Sequence, residues 1–73
     1  MTFREHDIVV LKAARPEVGL QPGDVGTVVH RYDKTSVEVE FMTATGRTVA
    51  VVTVPVGQLR AAVATDVPTV RTV

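Results

Sequence analysis

The length, composition and charge of the chain exclude several classes of protein. Its 73 residues suffice for one small domain, and the absence of cysteine excludes disulfide bridges, thiolate zinc sites and a cysteine nucleophile. Eight basic and eight acidic residues give a formal net charge of zero, which argues against a domain built to neutralise nucleic-acid phosphates.

Short apolar runs separated by Gly, Pro and Asp predict where the secondary structure lies. Seventeen valines and ten threonines favour β-strands over helices. The first predicted strand covers residues 8–11, and a loop follows over residues 12–23, where proline and glycine interrupt regular structure. The second predicted strand covers residues 25–32.

The next two strands differ in their patterns. Residues 37–41 alternate apolar side chains with glutamate, which predicts a strand that is buried on one face. Residues 48–54 are apolar on both faces, which predicts a strand that is central in the sheet or bent so that it serves two sheets. A single 3-10 turn over residues 56–60 then precedes a fifth strand that begins at Ala61.

These elements together predict an all-β fold, a small SH3-like barrel of about five strands with a short 3-10 turn before the last strand. Residues 1–60 form the predicted barrel core. Residues 61–73 form the last strand and a C-terminal tail, which we expect to act as an edge or intermolecular strand.

The turn before the second strand has a specific chemistry. Pro22 followed by Gly23 suits the centre of a type II turn, because glycine accepts a positive φ without strain. Asp24 is placed to accept hydrogen bonds from nearby backbone amides, and Gly26 permits a bulge or the close approach of a crossing strand. We therefore predict that Gly23, Asp24 and Gly26 are the structural residues of this turn.

The same segment carries a resemblance. The pattern Gly-Asp-x-Gly-x-Val over residues 23–28 resembles SH3-like barrels of the KOW type. With Phe3, Asp7-Ile8-Val9-Val10-Leu11, Val37-Glu38-Val39-Glu40-Phe41, Val52-Thr53-Val54 and Leu59-Arg60, in that order, residues 3–60 resemble a family of short bacterial proteins, domain of unknown function number four-nine-two-six. The resemblance implies a stand-alone barrel, encoded beside another small protein as one half of a two-gene module, as in toxin and antitoxin pairs.

Few residues are suited to chemistry. The candidate metal ligands are His6, Asp7, His30, Glu38 and Glu40. They lack the close spacing typical of zinc sites, so we expect no metal and no cofactor. Ser36 has no base and orienting group within sequence reach, and the two glutamates point outward from their strand. We therefore expect no enzymatic activity.

The position of His30 depends on the register of the hairpin between the second and third strands. A loop of residues 33–35 places His30 opposite Glu38 on the polar face. A loop of residues 34–35 places Arg31 opposite Glu38 and His30 beside Val39.

Nucleic-acid binding by a KOW-like barrel is the alternative function. Tyr32 and Phe41 are candidate stacking rings, and the basic residues that would gather at loop ends are Arg4, Lys12, Arg15, Arg31, Lys34, Arg47 and Arg60. Acidic residues on the same strands and the low aromatic content argue against it.

The sequence favours a non-enzymatic protein-interaction module, because zero net charge and a β-branched surface permit association. We expect it in the cytoplasm, since the sequence shows neither a signal peptide pattern nor a membrane span. The partner is a protein, either a second copy in a homodimer or the product of a neighbouring gene, in which case the chain is the antitoxin-like or regulatory half of the pair. We predict a contact through Val70, Val73 and the exposed edge of the first or last strand.

Overall fold

A computed structural model describes residues 3–43 and 45–63 of the chain. Within these residues the fold is all-β, as predicted, with five antiparallel strands in one sheet of order β4-β3-β2-β1-β5. The strands are β1 (Ile8–Leu11), β2 (Val25–Arg31), β3 (Ser36–Met42), β4 (Thr48–Pro55) and β5 (Leu59–Ala61). The predicted 3-10 turn before the last strand is present at Val56–Gln58.

The hydrophobic core lies against one face of the sheet. Strand β3 shows why: its alternate residues Val37, Val39 and Phe41 are fully buried, whereas Glu38 and Glu40 between them remain partly exposed. The buried cluster contains Phe3, Val9, Leu11, Leu20, Val28, Val37, Val39, Phe41, Val54 and Leu59.

The loop between β1 and β2 is more ordered than its composition suggests. It contains a 3-10 turn, Pro16–Val18, that was not predicted, and Pro16 at its start lacks the amide hydrogen that such a turn leaves unbonded. Arg15 and Leu20 form an isolated bridge across this turn. The bridge positions the side chain of Leu20 in the core, where only 1% of it is exposed.

Strand β5 begins at Leu59, two residues before the predicted start at Ala61. The reason is its pairing with β1, in which Leu11 lies opposite Leu59 and the Lys12 amide donates to the carbonyl of Gln58 at 2.7 Å. The predicted boundary between residues 60 and 61 therefore falls inside β5. Residues 64–73 of the predicted tail lie outside the described residues.

Strand β4 lies at one end of a single sheet. The prediction that it is central, or bent so that it serves two sheets, is therefore wrong. Its inward residues Ala50 and Val52 are only partly buried, and Val54 alone is fully buried. The valines on its other face are exposed, so the apolar sequence of β4 does not indicate a strand that is buried on both faces. No ladder joins β4 to β5 among the described residues, and closure into an SH3-like barrel stays a prediction.

Two bulges interrupt the ladders. The register shifts between Val28 and His30 on β2, which leaves Val29 as the extra residue, and beside Met42 of β3, where Val49 is extra on β4. Both extra valines are exposed by 37%. Bulges increase the local twist of a strand, and the bulge at Val49 therefore bends one end of the β4 edge.

Candidate functional site

A polar and aromatic cluster lies on the outward face of the sheet, near the β2–β3 hairpin. His30 is paired with Glu38 of β3, which is paired in turn with Thr53 of β4. The Tyr32 phenol donates a hydrogen bond of 2.7 Å to Glu38, and its ring meets the His30 ring edge-on with centroids 4.6 Å apart. This is the first of the two registers that the sequence allowed.

The pKa of Tyr32 is raised, because the Glu38 carboxylate accepts a hydrogen bond from the neutral phenol. Lost hydration and the negative charge of Glu38 act in the same direction, while the Thr53 hydroxyl acts against them. A raised pKa means that the bond favours the folded state below the ordinary tyrosine pKa of about 10 and is lost as the pH rises through the folded value.

We predict that Glu38→Gln lowers the pKa of Tyr32 towards its ordinary value, since the substitution removes both the charge and the strongest acceptor. Tyr32 is the single tyrosine in a chain without tryptophan, so ultraviolet absorbance of the phenolate reports it alone. Glu40→Gln on the same face is the matched control and should leave the titration unchanged. Equal pKa values for Tyr32 in wild type and Glu38→Gln would contradict the hydrogen bond.

The candidate catalytic side chains are occupied in structural hydrogen bonds. Glu40 accepts the Thr48 hydroxyl at 2.9 Å, and within the described residues neither Glu40 nor Glu38 forms an ion pair. The Ser36 hydroxyl donates to Asp33 at 3.3 Å. Asp33 also accepts from the hydroxyl and amide of Thr35, both at 2.7 Å, which lower its pKa. These groups hold the β2–β3 hairpin together.

The candidate metal ligands are dispersed. The Asp7 carboxylate accepts the Arg4 amide at 2.8 Å and closes a turn in which His6 has a φ of 76°. His30 and Glu38 lie opposite each other as described above. In the part of the chain that the structure describes, no three His, Asp or Glu side chains come together in a group able to hold a metal ion.

The rings and cations of the nucleic-acid alternative are distributed unevenly. Phe41 is fully buried, so its proposed stacking role is wrong. Tyr32 is 51% exposed, but its hydroxyl lies against the carboxylate of Glu38, which repels a phosphate chain. The guanidinium of Arg15 is paired with Glu17 at 2.9 Å.

The turn residues adopt the geometry that their chemistry suggests. Gly23 has a φ of 95°, and the Asp24 amide donates to the Gln21 carbonyl at 3.1 Å, as in a type II turn. The buried Asp24 carboxylate accepts the Gln21 amide at 2.9 Å. Gly26 lies where β2 runs between Val9 of β1 and Phe41 of β3.

The open edge of β4 is the most distinctive surface feature. The Thr53 carbonyl accepts a hydrogen bond of 3.3 Å from Arg15, which lies outside the sheet, so this carbonyl points away from β3. In an antiparallel pair the backbone groups alternate in direction with a period of two residues. The amide and carbonyl of Val51 therefore also point away from β3, beside a side chain that is 49% exposed.

The opposite edge of the sheet, β5, is arranged similarly. Ala62 donates to the carbonyl of Ile8, which places the backbone groups of Ala61 on the outer side. Arg60 donates to the Ala61 carbonyl at 3.2 Å. Each edge thus has one outward carbonyl bonded by an arginine, but on β4 the neighbouring backbone groups of Val51 have no such cover among the described residues.

The sheet topology contradicts one part of the predicted partner contact. Strand β1 lies between β2 and β5, so the alternative of a contact through the edge of the first strand is wrong. The last strand, β5, lies at an end of the sheet, and a contact through its edge stays a prediction. Val70 and Val73 lie outside the described residues. Neither Val51 nor Thr53 was among the predicted contact residues, although the sequence does show that β4 contains no charged residue over its eight positions.

Comparison with known proteins gives a family but no function. The model of a family described as a domain of unknown function, DUF4926, matches residues 5–61. No curated protein and no solved structure matches the chain. Among the described residues no helix is long and apolar enough to cross a membrane.

Proposed function

The chain belongs to the DUF4926 family, and since that membership prescribes no activity, we propose from the geometry that it is a non-enzymatic protein-interaction module of the cytoplasm. The module accepts an extended strand of a protein partner along the open edge of β4. The observation that carries this proposal is the backbone of Val51, which points away from β3 on an uncharged edge strand and whose own side chain is exposed.

Edge strands of natural proteins are usually shielded against such pairing. Charged side chains, proline, bulges and covering loops are the common means. On β4 the bulge at Val49 and the Arg15 guanidinium shield the two sides of Val51, and Pro55 ends the strand. Because the unshielded part of the β4 edge is short, it favours a specific contact with one partner strand over the continued addition of strands that leads to aggregation.

The addition of a strand supplies affinity through backbone hydrogen bonds and specificity through side chains on alternate positions. On the face of the sheet opposite the core, the side chains nearest this edge are those of Val51 and Thr53. Their neighbours on β3 are Glu40 and Glu38. A partner strand with β-branched residues at its facing positions suits this surface. The product of a neighbouring gene is the candidate partner, and the chain would then be the antitoxin-like or regulatory half of the pair.

Co-expression with the neighbouring gene product tests the proposal. We expect the wild-type chain to co-purify with it and Val51→Pro to lose it, because proline removes the outward amide while every β3–β4 ladder bond remains. Ala61→Pro removes an outward amide from β5 and is the matched control, which should retain the partner. Equal recovery with both variants, or none with the wild type, would contradict the proposal.

Nucleic-acid binding makes a different prediction. A KOW-like barrel that binds RNA or DNA through its loop-end cations would show an affinity that falls steeply as the salt concentration rises. We expect no such binding from this chain, since Arg15 is paired with Glu17 and the carboxylates of Glu38 and Glu40, which form no ion pair with any described residue, oppose it. Salt-dependent binding to a single-stranded RNA at low salt would favour the alternative.

A further inference from the structure

The β4 edge also indicates which strand fits it. We infer that a second copy of the chain pairs its own β4 with this edge, so that two sheets join about a two-fold axis. This inference rests on the proposed function and names one occupant of the same surface.

The direction of the backbone groups fixes the register. Only residues whose amide and carbonyl point outward can pair across the edge, and on the straight part of β4 these are Val51 and Thr53. If Val51 pairs antiparallel with Thr53 of the second copy, the two-fold symmetry also pairs Thr53 of the first copy with Val51 of the second. The two-fold axis then passes beside Val52.

The charge of the edge favours a neutral occupant. Strand β4 reads Thr-Val-Ala-Val-Val-Thr-Val-Pro, and the arginine beside it is neutralised by Glu17 at 2.9 Å. On β4 itself an acidic or basic partner strand therefore finds no opposite charge, and the nearest carboxylates, those of Glu38 and Glu40, lie one strand further in, on β3. A second β4 brings β-branched side chains opposite β-branched side chains with no like charges facing each other, and the net charge of zero adds no repulsion between copies.

The size of the contact sets its strength. Pairing of one short strand buries less than the roughly 1,200 Å² of a standard stable interface, so the dimer is weak and its population depends on concentration. Arg15 opposes it, because its guanidinium occupies the Thr53 carbonyl that the second copy needs. The carbonyl has two lone pairs, so the guanidinium and the Val51 amide of the second copy compete mainly for the space in front of it.

Sedimentation equilibrium of the full chain between about 5 μM and about 1 mM tests the inference. We expect a monomer–dimer equilibrium for the wild type and for Ala61→Pro. In Val51→Pro the dissociation constant should rise at least about tenfold, since one amide hydrogen bond per copy is lost. A monomeric wild type throughout this range, or equal dissociation constants for the two proline variants, would overturn the inference.

A variant of opposite sign guards against a folding defect in Val51→Pro. Arg15→Ala frees the Thr53 carbonyl and should tighten the dimer about two- to tenfold, while Arg47→Ala, which removes an arginine close to β4, should leave it unchanged. Weaker association of Arg15→Ala would count against the pairing. Loss of the dimer in Val70→Lys with an unaffected Val51→Pro would assign the contact to the tail instead.

The two proposals fail separately. A wild-type chain that remains monomeric but loses a co-expressed partner on Val51→Pro removes the second copy as occupant and leaves the strand-accepting edge in place. A dimer that forms equally well in Val51→Pro removes the second copy from this edge. Co-purification that is insensitive to Val51→Pro removes the edge as the partner's binding site.

Discussion

Gly26→Val is expected to lower the free energy of unfolding by about 3 kcal/mol, towards the upper end of the cost of overpacking a core. A Cβ atom at residue 26 would lie 2.6 Å from Cγ1 of Val39, 2.8 Å from the Glu40 carbonyl oxygen and 2.9 Å from Cδ1 of Phe41. The carbonyl belongs to the backbone of β3 and cannot turn aside. The strand ladder itself must therefore shift.

Thermal unfolding followed by circular dichroism measures this effect. A loss of about 3 kcal/mol corresponds to a fall of at least about 12 °C in the melting temperature of a domain of this size. Gly57→Ala is the matched control, since a Cβ there has no neighbour within 4 Å, and its melting temperature should stay within a few degrees of wild type. An unchanged melting temperature for Gly26→Val would mean that β3 does not approach β2 this closely at residue 26.

Phe41→Ala is expected to cost about 3–5 kcal/mol, the range for removal of a buried phenylalanine ring. Phe41 is fully buried and stands opposite Gly26 on one side and Ala50 on the other. The two small residues leave the width that the ring fills. Truncation of the ring therefore opens a cavity that neither neighbour can close.

The same variant distinguishes a core ring from a stacking ring. Phe41→Leu retains most of the buried volume and should cost about 1 kcal/mol, well below the alanine variant. Urea unfolding of the two variants gives the comparison. A Phe41→Ala chain with the stability of wild type and a loss of RNA affinity would show that the ring is on the surface and would contradict its place in the core.

The positions of the strands along the chain and the chemistry of the turn were accessible from sequence because both are local. The start of β1 at Ile8 and of β2 at Val25 follows from where the apolar runs begin after polar residues. The turn before β2 needs a glycine with positive φ after a proline, and Gly23 fulfils this requirement within four residues. The match to the DUF4926 family confirms the resemblance that these motifs carried.

The position of β4 was not accessible, because a strand of valine and threonine looks the same at the centre and at the end of a sheet. Placement is decided by pairing partners, and within residues 3–43 and 45–63 β4 pairs with β3 alone, since β1 takes β5 as its second neighbour. The bulges at Val29 and Val49 were missed for the same reason. A bulge depends on the register of two strands, which no single strand encodes.

The candidate site depended on long-range geometry in a similar way. The sequence left two positions open for His30, and the structure places it opposite Glu38 because the Asp33 carboxylate closes a loop of three residues. The bond between Arg15 and the Thr53 carbonyl joins residues that are 38 positions apart. This contact and the bond from the Val56 amide to the Thr35 carbonyl, at 2.8 Å, show which backbone groups of β4 point away from β3.

Amide hydrogen exchange at Val51, measured by nuclear magnetic resonance, tests the strand-accepting edge most directly. In the dilute free chain the Val51 amide should exchange much faster than that of Val52, whose amide points towards β3. In the complex with the second copy or the partner protein, exchange at Val51 should slow at least about tenfold while Ala61 on the other edge stays unchanged. A Val51 amide that is equally protected in both states, or equally exposed in both, would contradict the proposal.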